Sequence, residues 1–262
     1  MFKKLVKIPI FKKIISSLGI RVLKLLNMNR GYFKIKNINM FLDFLDPIDR
    51  EIIISQEYEK EEISILTKLI ENHDINYFID IGSNCGIYSF MVSLKFKNLR
   101  ILAFEPNTEA FQKFKKTLDA NANDLKNIKI FNYGLSDKKS KLKMRSLVKY
   151  GYVQTGGSTV HDEKNYDNVK IYDAEFEIGD QKLSIENSNI AIKIDVEGHE
   201  SNVLLGLKQL LTKNNCILQI ELFKKNFTES NQFLIDNNFK MIFKNKSDSN
   251  NNYKNYFYTN IA

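Results

Sequence analysis

Long hydrophobic runs are missing from this 262-residue chain. No stretch of 18 apolar residues occurs, and without one no helix is expected to cross a membrane. Cysteine is scarce: Cys85 and Cys216 are the two present. They form no CxxC pair, which argues against a zinc site. Each reads as a small apolar filler, a usage compatible with a reducing compartment. Acidic residues are absent from residues 1–42, which carry ten Lys or Arg. Internal repeats are absent too.

The basic excess belongs to that first segment. The whole chain has a net charge of +8, whereas residues 43–262 carry 29 basic and 31 acidic side chains. A nucleic-acid enzyme more often shows a basic stripe on its folded domain, so no nucleic-acid partner is expected. The start, MFKKLVKIPIFKKIISSLGIRVLKLLNMNR, interrupts its apolar residues with charge every few positions, unlike a cleaved signal peptide. It reads as a basic amphipathic segment broken near Pro9. Three readings stand. Residues 1–30 form a helix packed on their own domain, or one lying on an anionic membrane surface, or a targeting peptide. The second would put a cytoplasmic protein peripherally on the inner membrane face.

Hydrophobic content of 43% is enough for a full core. The length suits one domain with an appendage, at roughly 100–200 residues per domain. Residues 1–75 read as the basic segment followed by a cap. Within it, Phe33 to Arg50 alternates weakly and ends in a proline turn, which predicts short strands. Residues 58–73 put Ile63, Leu66 and Ile70 on one helical face. Residues 76–262 then alternate regularly. Buried strands are predicted at 77–81, 100–104, 128–133, 190–194 and 216–222. Helices are predicted at 86–96, after an Asn107 cap, after residue 194, and at 228–237. Such alternation means a mostly parallel sheet with helices on both faces. Residues 138–189 interrupt it and read as an inserted hairpin beside the site. The last two strands, 239–243 and 253–261, flank an Asn/Ser-rich turn. About nine residues separate them, too few for a parallel crossover, so they must form an antiparallel hairpin. An α/β, Rossmann-like sheet closed this way is the class I methyltransferase architecture and differs from most dinucleotide dehydrogenases.

In an open α/β sheet, ligands bind beyond the carboxyl ends of the strands. Those ends read Asp80-Ile81-Gly82-Ser83-Asn84-Cys85-Gly86, Glu105-Pro106-Asn107, Gly134-Leu135-Ser136-Asp137, Asp195-Val196-Glu197-Gly198-His199-Glu200, and Glu221. Gly82 permits a tight turn, and Gly86 a close approach of backbone to ligand. Asn84 stands where a dinucleotide fingerprint has its second glycine and crowds a diphosphate. Asp80 would repel a pyrophosphate but suits a ligand with an ammonium and a sulfonium, as S-adenosylmethionine has. Glu105, after the second strand, is placed to accept from both ribose hydroxyls. Asp137 is placed to accept from the adenine amino group, with a turn-capping role as its competitor. Ser83, Asn84, Pro106, Asn107 and Ser136 complete the expected cofactor-binding set.

The segments FIDIGSNCGIYS, AFEP, NYGLSD, LQIEL and above all IKIDVEGHE resemble the FkbM family of S-adenosylmethionine-dependent methyltransferases over about residues 77–222. The resemblance implies O-methylation of sugars, glycans or polyketide-type hydroxyls. It leaves substrate choice to residues 1–75 and 138–189. Asp195, Glu197 and His199 are its candidate catalytic cluster. A sugar hydroxyl is a poor nucleophile that gains from a general base, and Asp195 ends a central strand where donor and acceptor would meet. Lys193, two residues back on the same face, is placed to pair with it. Asp195 and Glu197 could instead bind Mg²⁺, Glu197 or Glu200 could serve a helix N-terminus, and His199 could cap or pack. The rival to an O-methyltransferase of a small molecule or glycan is a non-catalytic binding or scaffold protein of the same fold.

Overall fold

The computed structural model describes residues 29–149, 151–162, 164, 166–245 and 252–261. The expectations for residues 1–28 and for the Asn/Ser-rich turn at 246–251 lie outside them. The described chain starts as an antiparallel hairpin, β1 (Arg30–Ile35) and β2 (Ile38–Asp43). Ile38, Met40 and Leu42 alternate onto its buried face. Helix α1 (Pro47–Ser55) follows. The short strands expected from Phe33 onward are present as β1 and β2, but the proline turn expected to end them is corrected. Asp46 accepts from the Ile48 N–H and Pro47 occupies the first helical turn, where a missing N–H costs nothing. The proline begins a helix rather than closing a strand. Helix α2 (Lys60–Asn72) completes the cap.

Next come β3 (Tyr77–Ile81), α3 (Ile87–Lys95), β4 (Arg100–Phe104), α4 (Thr108–Ala120) and β5 (Ile128–Phe131). The strand predicted to run to residue 133 ends at Phe131. β6 (Gly134–Ser136) instead joins a second sheet with β7 (Ser140–Lys149), β8 (Tyr152–Val153), β9 (Thr159–Val160) and β10 (Val169–Ile178). Its order is β6-β10-β7-β8, with β9 also on β7. The insertion is therefore a small sheet built around a long β7–β10 hairpin. After α5 (Gly179–Lys182) the main alternation resumes with β11 (Asn189–Ile194). The helical stretch after it divides at Leu207 into α6 (Glu200–Gly206) and α7 (Lys208–Lys213). Then follow β12 (Asn215–Phe223), α8 (Lys224–Asp236), β13 (Lys240–Lys244) and β14 (Tyr253–Thr259).

The main sheet runs β13-β14-β12-β11-β3-β4-β5. Every neighbouring pair is parallel except the two made by β14. This is the Rossmann-like class I methyltransferase sheet, and β14 is its antiparallel strand. Each face carries a core. On one, Phe78, Phe90, Ile101 and Phe114 pack in a single cluster with Met40, Leu42, Ile52 and Leu66 of the cap. On the other, Ile79, Ile81, Ile192, Ile194, Leu204 and Leu218 pack together. Burying each such side chain contributes roughly 1.5–3 kcal/mol, so the cap is joined to the sheet by shared apolar burial. No helix among the described residues is long and apolar enough to cross a membrane.

Candidate active site

The strand ends of β4, β3, β11 and β12 open into a cleft of about 250 Å³. Its lining draws on every part of the fold. The strand-end loops contribute Gly82, Ser83, Asn84, Glu105, Pro106, Asp195, Glu197 and His199; the cap adds Tyr58 and Glu59, and the inserted sheet adds Thr155, Val160 and Phe176.

Gly82 joins two of the loops. Its φ is +79°, and a Cβ there would lie 1.8 Å from the carbonyl oxygen of Asp195. Only glycine lets the turn after β3 lie flat against the turn after β11. Gly86 (φ +85°) also meets a packing requirement: a Cβ on it would strike the Phe114 ring at 2.7 Å, so glycine lets this turn lie close to helix α4.

Glu105 ends β4 and is 7% exposed. One carboxylate oxygen accepts the Asn84 N–H and the other the Asn107 N–H, each at 2.7 Å. Burial raises its pKa to about 7, against the lowering effect of those two donors. A carboxylate offers about four lone-pair directions, so two remain beyond the backbone donors.

Asp80 does not itself line the cleft. It is fully buried, accepts from the Ser89 hydroxyl at 2.7 Å, and its second oxygen has no hydrogen-bond partner among the described residues. Its register partner on β11 is Lys193, so the positive charge nearest it is internal. Asn107 caps α4, accepting from the Glu109 and Ala110 N–H groups, and donates to Ser158 of the insertion. Asp137 is exposed, accepts from Ser136 and Asn202, and stays outside the cleft lining. The apolar wall near it is formed by Leu135, Met144, Val160 and Phe176.

His199 lines the cleft with its ring edge-to-face on Phe176, centroids 5.3 Å apart. Its Nε2 lies 2.9 Å from the Ser136 hydroxyl, which is 3.0 Å from Asp137. Desolvation would raise Asp137, but hydrogen bonds from Asn202 and Ser136 together hold it below its ordinary value, so it only accepts. Ser136 therefore donates to Asp137, and His199 Nε2–H donates to Ser136. Burial pushes the imidazole pKa down, keeping the ring neutral. Glu200 is structural: buried, it accepts the Gly198 N–H at 2.6 Å and the Asn226 amide at 3.0 Å, which locks the turn that carries His199.

The remaining wall is acidic. Lys193 is buried, pairs with Asp195 at 2.9 Å and lies 4.5 Å from the Tyr88 ring centroid. Tyr88 donates to Glu59 at 2.6 Å and accepts from Gln219 at 2.9 Å. Oxygens of Asp195, Glu197 and Glu221 all lie within 4.8 Å of one another. Burial first, and then the neighbouring carboxylates, push Glu197 and Glu221 upward. Burial likewise raises Glu59. Glu221 was visible as a strand end, yet the residue types around it gave it no role. Tyr58, Glu59 and Thr155 carried no local signal at all, because they reach the cleft from the cap and the insertion.

A second polar cluster holds those two parts against α4 and the loop after β3. Buried Lys113 of α4 lies 2.7 Å from Asp49, 3.5 Å from Asp46 and 2.8 Å from the Thr155 hydroxyl. Thr155 also donates its backbone N–H to Asp46 at 2.8 Å, and its hydroxyl lies 3.1 Å from the Asn84 side-chain oxygen. Burial raises Asp49 to about 6 even beside the lysine.

The profile of the methyltransferase FkbM domain matches residues 80–241, more than half the chain. Methyltransferase sdnD of Sordaria araneosa is 27% identical over 121 residues, 46% of this chain and 44% of that protein. The hexuronic acid methyltransferase AglP of Haloferax volcanii is 24% identical over 160 residues, 61% of each. The chain spans 44% to 61% of the length of the curated relatives it matches. The crystal structure of methyltransferase FkbM from Methylobacillus flagellatus superposes with a TM-score of 0.50 at 14% identity. That match covers 71% of this chain and 44% of the other, and it bears on the fold alone.

Proposed function

The chain belongs to the FkbM methyltransferase domain family, and from that premise we propose that it moves a methyl group from S-adenosylmethionine to a hydroxyl of a sugar, glycan or similar small molecule. The observation that carries the reading is a single cleft with Glu105 at one strand end and the Lys193–Asp195 pair two strands away. Strands spaced about 4.8 Å apart separate those ends by roughly 10 Å, room for a nucleoside on one side and an acceptor on the other.

The residues present fit the cofactor. Glu105 has lone pairs left for a vicinal diol. Leu135, Met144, Val160 and Phe176 would flank an adenine, and the chain at Gly82 passes close enough to leave the cleft floor open. S-adenosylmethionine, when bound, supplies an electrophilic methyl carbon. The chain's own part is to orient the acceptor and take its proton. Asp195, oriented by Lys193, is the group we assign to receive that proton, with Glu197 beside it and His199 on the part of the cleft wall formed with Ser136 and Phe176. A positioned base of this kind contributes about 10²–10⁴-fold. The acceptor class rests on the family and on AglP, whose name specifies a hexuronic acid. Residues 1–30, which carry eight Lys or Arg and no acid, are proposed to dock on anionic lipid.

Isothermal calorimetry tests the core of this. S-adenosylmethionine and its demethylated product should bind and NAD should not. Glu105→Ala should weaken binding by about 1.5–3 kcal/mol, the range for hydrogen bonds to a charged group. A folded sample that gives no heat with either form sinks the proposal.

A further inference from the structure

The acidic wall of the cleft gathers more carboxyl groups than its surroundings can pair. Glu59, Asp195, Glu197 and Glu221 converge there, and Lys193 is the one cation lining the cleft among the described residues. Lys193 is already taken by Asp195. Glu59 is partly satisfied by the Tyr88 hydroxyl. Glu221 differs from both: it is 7% exposed and lines the cleft. Among the described residues no hydrogen bond or ion pair reaches its carboxylate. A buried carboxylate with no donor is costly, and such groups are paired or coordinate metals. The oxygens it faces, those of Asp195 and Glu197, come from the loop that follows the neighbouring strand β11.

We propose that Asp195, Glu197 and Glu221 bind a hard divalent cation, of the Mg²⁺, Mn²⁺ or Ca²⁺ class. The geometry agrees with the chemistry. Such cations take oxygen ligands at roughly 2.0–2.6 Å. Two ligands on opposite sides of one ion are then about 4–5 Å apart, and adjacent ones closer. All three oxygens fall inside 4.8 Å. Three carboxylates against a dication and Lys193 leave the set close to neutral. All three residues line the cleft, so a cation they held would be open to an acceptor's hydroxyl oxygens there. Its role in methyl transfer rests on the function proposed above; its binding does not. A carboxylate's several lone pairs let Asp195 serve as ligand and still face the acceptor.

The test uses the full chain, stripped with EDTA and then titrated with Mn²⁺ alone, with the free ion followed by electron paramagnetic resonance. One Mn²⁺ per chain should bind with a Kd below about 1 mM, the weak end of protein sites for such ions, and Mg²⁺ should displace it. Glu221→Gln and Glu197→Gln should each weaken it about 10-fold or more. Glu61→Gln, an exposed acid on α2, should leave it unchanged. In the wild type, bound Mn²⁺ should broaden the proton resonances of Tyr253 and His199, which needs no variant to fold. Saturable binding with those losses supports the site. A wild type that binds no Mn²⁺ while still taking S-adenosylmethionine overturns it, as does a Glu221→Gln chain that binds as well as the wild type. Mn²⁺ binding in a sample that refuses S-adenosylmethionine would keep the cation site and remove the methyl-transfer reading instead.

Discussion

At the scale of single residues, the site depends on two positions that allow little substitution. Gly82→Ala would put a methyl group 1.8 Å from the Asp195 carbonyl in a left-handed backbone. The conformation alone costs about 1 kcal/mol, and the overlap forces the turns after β3 and β11 apart. The expected outcome is a loss of more than about 2 kcal/mol in urea unfolding together with loss of cofactor binding; a variant as stable as the wild type would show that the turns do not meet. Glu105 predicts a pH dependence. Its folded pKa is about 7, above the ordinary 4.5, chiefly through burial. A raised carboxyl stabilises the fold fully below pH 4.5, and that contribution is lost as pH climbs through 7. A rise of this size corresponds to roughly 3 kcal/mol. Unfolding free energies of wild type and Glu105→Gln, measured from pH 4 to 8, should therefore diverge in the variant's favour as pH rises. A constant difference across that range refutes the shift.

At the scale of elements, the cap, α4 and the insertion meet at Lys113. Its ammonium lies between Asp46 and Asp49 at the start of α1 and reaches the Thr155 hydroxyl of the inserted sheet. Removing one partner of a buried ion cluster leaves the others uncompensated, at about 3–5 kcal/mol. Lys113→Met should lower stability by that amount, and adding Asp49→Asn should recover part of it. Additive losses in the double variant would show that the two groups act independently. Because Thr155 also contacts Asn84, the single variant should weaken cofactor binding as well. The same elements show how a local signal can mislead. Asp46-Pro47 reads equally well as a turn or as a helix start, and the helix forms because Ile52 has the cap's core to pack against.

At the scale of the whole molecule, charge is divided along the chain: all ten basic residues of 1–42 precede the first acid. If the basic segment at residues 1–30 carries the lipid contact, each Lys or Arg near an anionic surface adds about 1 kcal/mol, fading with salt. Full-length chain should float with anionic vesicles at low salt and be released at high salt. A chain starting at Asn29 should not float. That boundary retains Asn29 and Arg30, which both bond Asp43. Equal flotation of the two chains would count against the proposal.

What the sequence alone determined is what short-range pattern controls. Strands buried on both faces read as apolar runs, so β3, β4, β11 and β12 were legible. A loop too short for a crossover dictated the antiparallel pairing of β13 and β14. The rule that ligands gather at strand ends pointed to Gly82, Glu105, Asp195, Glu197 and His199, all of which line one cleft. Tertiary structure decided which charges meet. Asp80 and Lys193 become neighbours only through the register of β3 and β11, Lys113 finds Asp49 across 64 positions, and Glu59 and Thr155 arrive from segments with no motif. Local periodicity reports which face of an element is buried, because burial repeats with the backbone's own period. It carries no record of which buried carboxylate faces which donor, since that depends on how distant elements pack.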